Sequence, residues 1–163
     1  MIFNDDEIGR LIKMPKMGAD ANAKWPTLRS KRGHVEAHAT FGGTDQNEFR
    51  VVLRRSTFNP LAFSAVLMVR VPDSTRWFRL RRYNGNNHEH FNLVEGNRFR
   101  AFHIHTATER YQRRGGREDG YAEPTERFSS YDEAVRCLAE DAKLEMRPSY
   151  DPIQRGVSSG AEV

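Results

Sequence analysis

Residues 77–111 read WFRLRRYNGNNHEHFNLVEGNRFRAFHIHTATERY, from Trp77 to Tyr111, and the fold turns on how their strands pair. The stretch holds two His-x-His triplets, His88/His90 and His103/His105. Residues i and i+2 of a β-strand share a face, so each triplet sets two imidazoles side by side. Between the triplets, Gly96-Asn97 suits a two-residue hairpin loop, which needs positive φ at its centre. That loop places His88 opposite His105 and His90 opposite His103, with Cβ atoms about 5 Å apart, so four imidazoles form a square.

The reverse face agrees with this register. Phe91 falls opposite Phe102, with Leu93 and Ile104 alongside, and a one-residue slip would mix phenylalanine with histidine on both sides. Asn84-Gly85 is a second two-residue turn signal. It sets Phe78 opposite Phe91, keeps Leu80 on the apolar side, and turns Trp77, Arg79 and Arg81 toward His88 and His90. Three strands thus separate into an apolar face and a face of arginine and histidine.

Before this stretch the chain alternates with period two. Val35, Ala37, Ala39 and Phe41 interleave with His34, Glu36, His38 and Thr40, then Phe49, Val51 and Leu53 with Arg50, Val52 and Arg54. Phe63 to Val71 is a more uniformly apolar strand, and Pro72-Asp73-Ser74-Thr75 turns into the arginine strand at 76–83. Six strands with short connections make an antiparallel meander. In a flat sheet the first and sixth strands lie roughly 24 Å apart at about 4.8 Å per step, so His34, Glu36 and His38 join the other histidines only if the sheet curls strongly. Trp25 is expected to anchor the weakly patterned residues 15–31 to the body.

Helices flank the meander. Asn4 with Glu7 three residues on signals a helix start, an apolar stripe of Ile8, Leu11 and Ile12 follows, and Pro15 closes it near Met14. Ser130-Tyr131-Asp132-Glu133 is a capping box opening a second helix, with Tyr131, Ala134, Val135, Leu138 and Ala142 facing the core. Cys137 lies off the centre of that stripe. The expected architecture is α+β: a strongly curved antiparallel meander of about six strands, with a short N-terminal and a C-terminal helix on one face. Residues 1–146 form the single domain and 147–163 a flexible tail. The run QRRGGREDGYAEPTERF after Tyr111 has no period and reads as a disordered segment or a functional lid.

At 163 residues, with 29% charged and 37% hydrophobic residues, the chain supports one core and is too aromatic for disorder. Lysine and arginine exceed aspartate and glutamate by four, nearly all of it arginine, which suits an anionic partner. One cysteine excludes an internal disulfide and a cysteine-based zinc cluster. No apolar run approaches a membrane span and the first residues lack a signal-peptide pattern, so the expected compartment is the cytoplasm.

The polar face admits several chemistries. The first is a metal-independent endoribonuclease that needs no cofactor. His88, His90, His103, His105 and Glu109 supply the acid and base, since imidazole titrates near neutrality. Arg79 and Arg81 hold the phosphate, and Tyr83 and Tyr111 stack on bases or donate to the phosphate. RNA or another phosphate-rich ligand is then the partner, with an antitoxin as a possible protein partner. The second is a metal site with His88, His90, His103 and His105 as ligands and Glu109 as a carboxylate, which nearby arginines oppose by repelling a dication. The third is a module that binds nucleic acid or protein through Trp77, Tyr83, Tyr111 and the basic face without catalysis. The plainest is a set of histidines hydrogen-bonded to one another on an exposed sheet.

The strings RYNG at 82–85, HEHFN at 88–92, FHIHTATERYQ at 102–112 and DGYAEPTERF at 119–128 resemble signature blocks of a bacterial family of uncharacterised domains, across most of residues 30–143. The resemblance implies no activity. In size and charge the chain is also similar to toxins of toxin–antitoxin modules and to mobile-element accessory proteins.

Overall fold

Asn4 caps the first helix by accepting the Glu7 amide at 2.8 Å. Asp5, Asp6 and Glu7 fill its first turn, where the helix dipole favours negative charge. This helix, α1 (Asp5–Lys13), buries Ile8, Leu11 and Ile12. The chain continues through β1 (Lys16–Gly18), β2 (Arg29–Lys31), β3 (His34–Gly42), β4 (Glu48–Ser56), β5 (Phe63–Arg70), β6 (Trp77–Asn84), β7 (His90–Phe91), β8 (Arg98–Phe99), β9 (His103–Thr106), α2 (Glu109–Arg113), β10 (Ala122–Pro124), α3 (Tyr131–Asp141) and β11 (Leu144–Glu145). The computed structural model describes residues 2–18 and 29–145. Trp25 and the expected tail at 147–163 lie outside them.

One strongly curled, mainly antiparallel sheet dominates, in the order β10-β9-β6-β5-β4-β3-β1-β11, with β2 also on β3. The expected α+β architecture is therefore present. Its centre is the meander β3 to β6, where period-two alternation sends Phe49, Val51 and Leu53 of β4 and Ala65, Leu67 and Val69 of β5 into the core. α3 packs on this face over β5 and β6, and α1 reaches β6. Ser130 caps α3 by accepting the Glu133 amide at 3.2 Å, and Ala134, Val135, Cys137 and Leu138 are buried. No helix among the described residues is long and apolar enough to cross a membrane.

Two features depart from the sequence reading. A β-bulge sits in β6: Leu67 pairs Arg81 and Met68 pairs Arg79, so Leu80 is the extra residue. The bulge reverses parity. Phe78, Leu80 and then Tyr83 all point into the core, and Arg82 and Asn84 take the opposite face. Beyond it, neither expected hairpin forms. β9 pairs directly with β6, Arg82 against His105 and Asn84 against His103. Residues between them make an excursion whose short ribbon, β7 with β8, pairs His90 with Phe99 and Phe91 with Arg98.

Gly85 is therefore no hairpin residue. A Cβ there would overlap the Leu61 carbonyl, so glycine is needed for close backbone approach. Gly96 does carry a positive φ of 78°, but within a longer loop that the Asn92 amide closes by donating to the Asn97 carbonyl at 2.9 Å. Phe91 is 38% exposed and not across from Phe102, which packs on the core instead. Residues 112–129, read from the sequence as a disordered segment or a functional lid, hold the end of α2, a tight turn and then β10 paired to β9.

Candidate metal centre

His103 and His105 are alternate residues of β9 and share the face opposite the core residue Ile104. That face is covered by the ribbon and by the turn after α2, so His103 is 0% and His105 4% exposed. The sequence reading placed both on an open sheet surface; the structure buries them. The ribbon brings His90 against them: its ring centroid lies 4.8 Å from that of His105 and 5.4 Å from that of His103, and His103 and His105 are 4.9 Å apart. Candidate ligand nitrogens of His90, His103 and His105 all fall within 4.8 Å of one another. His88 stands at the edge, exposed, its ring 5.5 Å from His103 and its Nδ1 3.1 Å from Asn87 Oδ1. In place of an exposed square of four, half-buried His90 joins buried His103 and His105 in a triad, with His88 at its edge.

The outer nitrogen of each triad ring is committed. His103 Nδ1 lies 2.7 Å from the Ala101 carbonyl and His105 Nδ1 2.8 Å from the Asp119 carbonyl. A carbonyl oxygen only accepts, so both Nδ1 atoms carry the proton and both Nε2 atoms present a lone pair. His90 Nε2 lies 2.8 Å from Asn92 Oδ1. The Asn92 amide is oriented by Ala122, whose N–H donates to Oδ1 at 2.9 Å and whose carbonyl accepts from Nδ2 at 2.8 Å. His90 Nε2 is therefore the donor, and its Nδ1 is free to bind. His103 Nε2 is buried with no hydrogen-bond partner, a state that an interior polar atom rarely occupies without a ligand.

Burial holds His103 and His105 neutral. Desolvation first, with Arg82 among the charges that add to it, pushes His105 down to about 2 and His103 to about 4. Neutral imidazole is the form that binds a metal, and imidazoles with pKa values this low are weak bases near neutrality.

Arg82, which the bulge turns to this side, is mostly buried and faces Asp119 at 3.2 Å. Asp119 is 0% exposed and is also approached by Arg117 at 3.5 Å and Arg79 at 3.6 Å. These ion pairs offset the repulsion that arginines beside the triad exert on a cation.

Other expected site residues lie elsewhere. Arg81 and Tyr83 face the helix side and bind Asp141 of α3, at 3.3 and 2.6 Å. The bulge at Leu80 is the cause. Glu109 is not on a strand continuing from His105: Thr108 caps α2, and Glu109 pairs with Arg113 at 2.7 Å on its surface. Arg79 lies beside the site but is engaged by Glu118 and Asp119. Tyr111 is buried, its hydroxyl donating to Glu95 at 2.7 Å, and its ring lines the pocket over the triad. His34 and His38 sit on β3, separated from β9 by β4, β5 and β6. Sequence reasoning missed Arg82, Asn92 and Asp119. Asn92 follows His90 at the i+2 spacing of a shared face, a signal that was available; nothing local marks the other two.

No family model, curated protein or solved structure matches the chain, so its chemistry is read from this geometry.

Proposed function

We propose that the chain is a metalloprotein, and by its chemistry a hydrolase, with His90, His103 and His105 as ligands of a first-row transition ion such as Zn²⁺. One observation carries the reading: three imidazoles, each with its outer N–H fixed on an acceptor, bring their remaining ring nitrogens within 4.8 Å of one another, and one of those nitrogens is buried without a partner. Outer hydrogen bonds of this kind orient metal-binding histidines and raise their basicity. A tetrahedral zinc ion with Zn–N of about 2.0–2.1 Å would need these nitrogens roughly 3.4 Å apart, closer than their spread of up to 4.8 Å. Three protein ligands leave a fourth position facing the pocket. A metal held by His90, His103 and His105 would supply a water that loses its proton near neutrality, and ester hydrolysis by it would form the bond from the water oxygen as the bond to the leaving oxygen breaks and that oxygen takes up a proton.

Titration of the metal-stripped protein with Co²⁺ tests this. A tetrahedral visible spectrum at one ion per chain is expected, lost in His90→Ala, whose half-buried position makes folding failure a small risk. Absence of stoichiometric binding by the folded wild type rejects the reading. The same histidines serve the metal-free ribonuclease considered from the sequence, in a cytoplasmic protein with RNA or an antitoxin as partner. Cleavage of single-stranded RNA that survives EDTA would favour that alternative.

A further inference from the structure

A cavity of about 350 Å³ opens over His90 and His105, and its wall carries more positive charge than a structural metal site requires. Arg82, Arg114 and Arg117 all line it. Arg82 and Arg117 share the buried carboxylate of Asp119 with Arg79, and Arg114 has no ion-pair partner among the described residues. The other side of the cavity is apolar. Phe91 and Leu93, which are 38% and 52% exposed, stand there with the ring of Tyr111. Large exposed apolar side chains gathered at a cavity mouth mark a binding surface more than chance does.

We propose that this pocket binds a phosphate monoester carrying a flat apolar group, the phosphoryl dianion spanning the metal and the arginines while the flat group lies against Phe91, Leu93 and Tyr111. The inference rests on the metal reading for one half of the anion's contacts. Arg82, Arg114 and Arg117 line the pocket beside the dication, and the one carboxylate that Arg82 and Arg117 meet is shared with Arg79, so a doubly charged group neutralises the pocket better than a carboxylate. Planar guanidinium also matches phosphoryl oxygens in pairs. A cavity of this size encloses one such unit. The anion removes the repulsion between arginines and metal, so each ligand tightens the other by the same factor.

Phenylphosphonate is a suitable probe, because metal-bound water does not cleave its P–C bond. It is titrated into the full chain with and without Co²⁺. Binding about tenfold tighter in the Co²⁺-loaded protein is expected, with an equal rise in Co²⁺ affinity when phenylphosphonate is saturating. Methylphosphonate, without the ring, and benzoate, without the dianion, should each bind about tenfold more weakly. Arg114→Gln and Arg117→Gln should weaken phenylphosphonate by about tenfold each, with Co²⁺ affinity in its absence undiminished. Phenylphosphonate that binds no better than benzoate, or that ignores both arginine substitutions, overturns the proposal. Co²⁺ binding without phosphonate binding refutes the substrate class alone. Arginine-dependent phosphonate binding in a chain that takes no Co²⁺ supports the anion site and refutes the metal centre.

Discussion

His103 and His88 look alike in the sequence, each one member of a His-x-His pair, yet burial separates them. His103 is sealed from solvent, holds Ala101 through Nδ1 and leaves Nε2 without a partner. His103→Ala removes packing and one hydrogen bond but also an unsatisfied atom, so a loss of roughly 1–3 kcal/mol is expected. His88→Ala, at an exposed position, should stay within about 0.5 kcal/mol of wild type. Urea midpoints with unchanged slopes decide it, and a larger loss in the His88 variant would contradict the burial described. Gly85 is the other residue whose reading changed. Its sequence context suggested a turn, whereas the structure needs its missing side chain beside the Leu61 carbonyl. Gly85→Ala meets backbone, which yields little, and should cost roughly 2–4 kcal/mol in the same assay.

Among the elements, the two helices and the meander were legible because their signals are local. Asn4 and Ser130 cap as their spacing to Glu7 and Glu133 implied, and period-two alternation gave β3 to β6. The pairing of β9 with β6 was not legible. Gly96-Asn97 satisfies the rule for a two-residue hairpin, but here the loop is closed at Asn92 and Asn97, and cross-strand partners then follow from Asn92's bonds to Ala122 of distant β10. The bulge at Leu80 escaped for a similar reason, since only tertiary packing decides which of Arg81 and Arg82 turns inward. The histidines still met because β9 kept its parity, with Ile104 inward.

Lys16 is likewise unmarked in the sequence, yet it joins α1 and α3 at their C-terminal ends. It is 0% exposed, and Nζ donates to the carbonyls of Ile12, Met14 and Ala142 at 2.7–2.9 Å. Lys16→Met strands three buried acceptors and should destabilise by roughly 2–5 kcal/mol. Burial first, and then Lys143, lowers its pKa from 10.5 to about 7. Between these values the folded chain binds fewer protons than the unfolded one, so the stability due to Lys16 rises with pH across that window and is flat below it. The gap in melting temperature between wild type and Lys16→Met should widen from pH 6.5 to pH 9.5, and a gap that narrows would reverse the sign.

For the molecule as a whole, the candidate site is where separately stabilised parts converge. His90 comes from the ribbon, His103 and His105 from the sheet, and the acceptors that orient them from Ala101, Asn92 and the Asp119 backbone. The ribbon's two strands pair only with each other, and Asn92, the histidine contacts and the bonds of Glu95 to Tyr111 and Arg110 hold it over β9. A metal bound by all three rings links ribbon to sheet and binds the folded state alone. At a free ion concentration a hundredfold above Kd, that linkage adds about 2.7 kcal/mol, which for a domain of this size raises Tm by roughly 5–10 °C. Zn²⁺, Co²⁺ or Ni²⁺ should produce the rise and Mg²⁺ should not, because imidazole selects the former. His90→Ala should abolish it. Hydrogen exchange locates the effect: on metal binding, amide protection should increase in residues 90–99 more than in β4 or β5 at the centre of the sheet. A uniform rise across the chain, or a rise retained in His90→Ala, would mean that the ion binds elsewhere and that the three rings meet for packing alone.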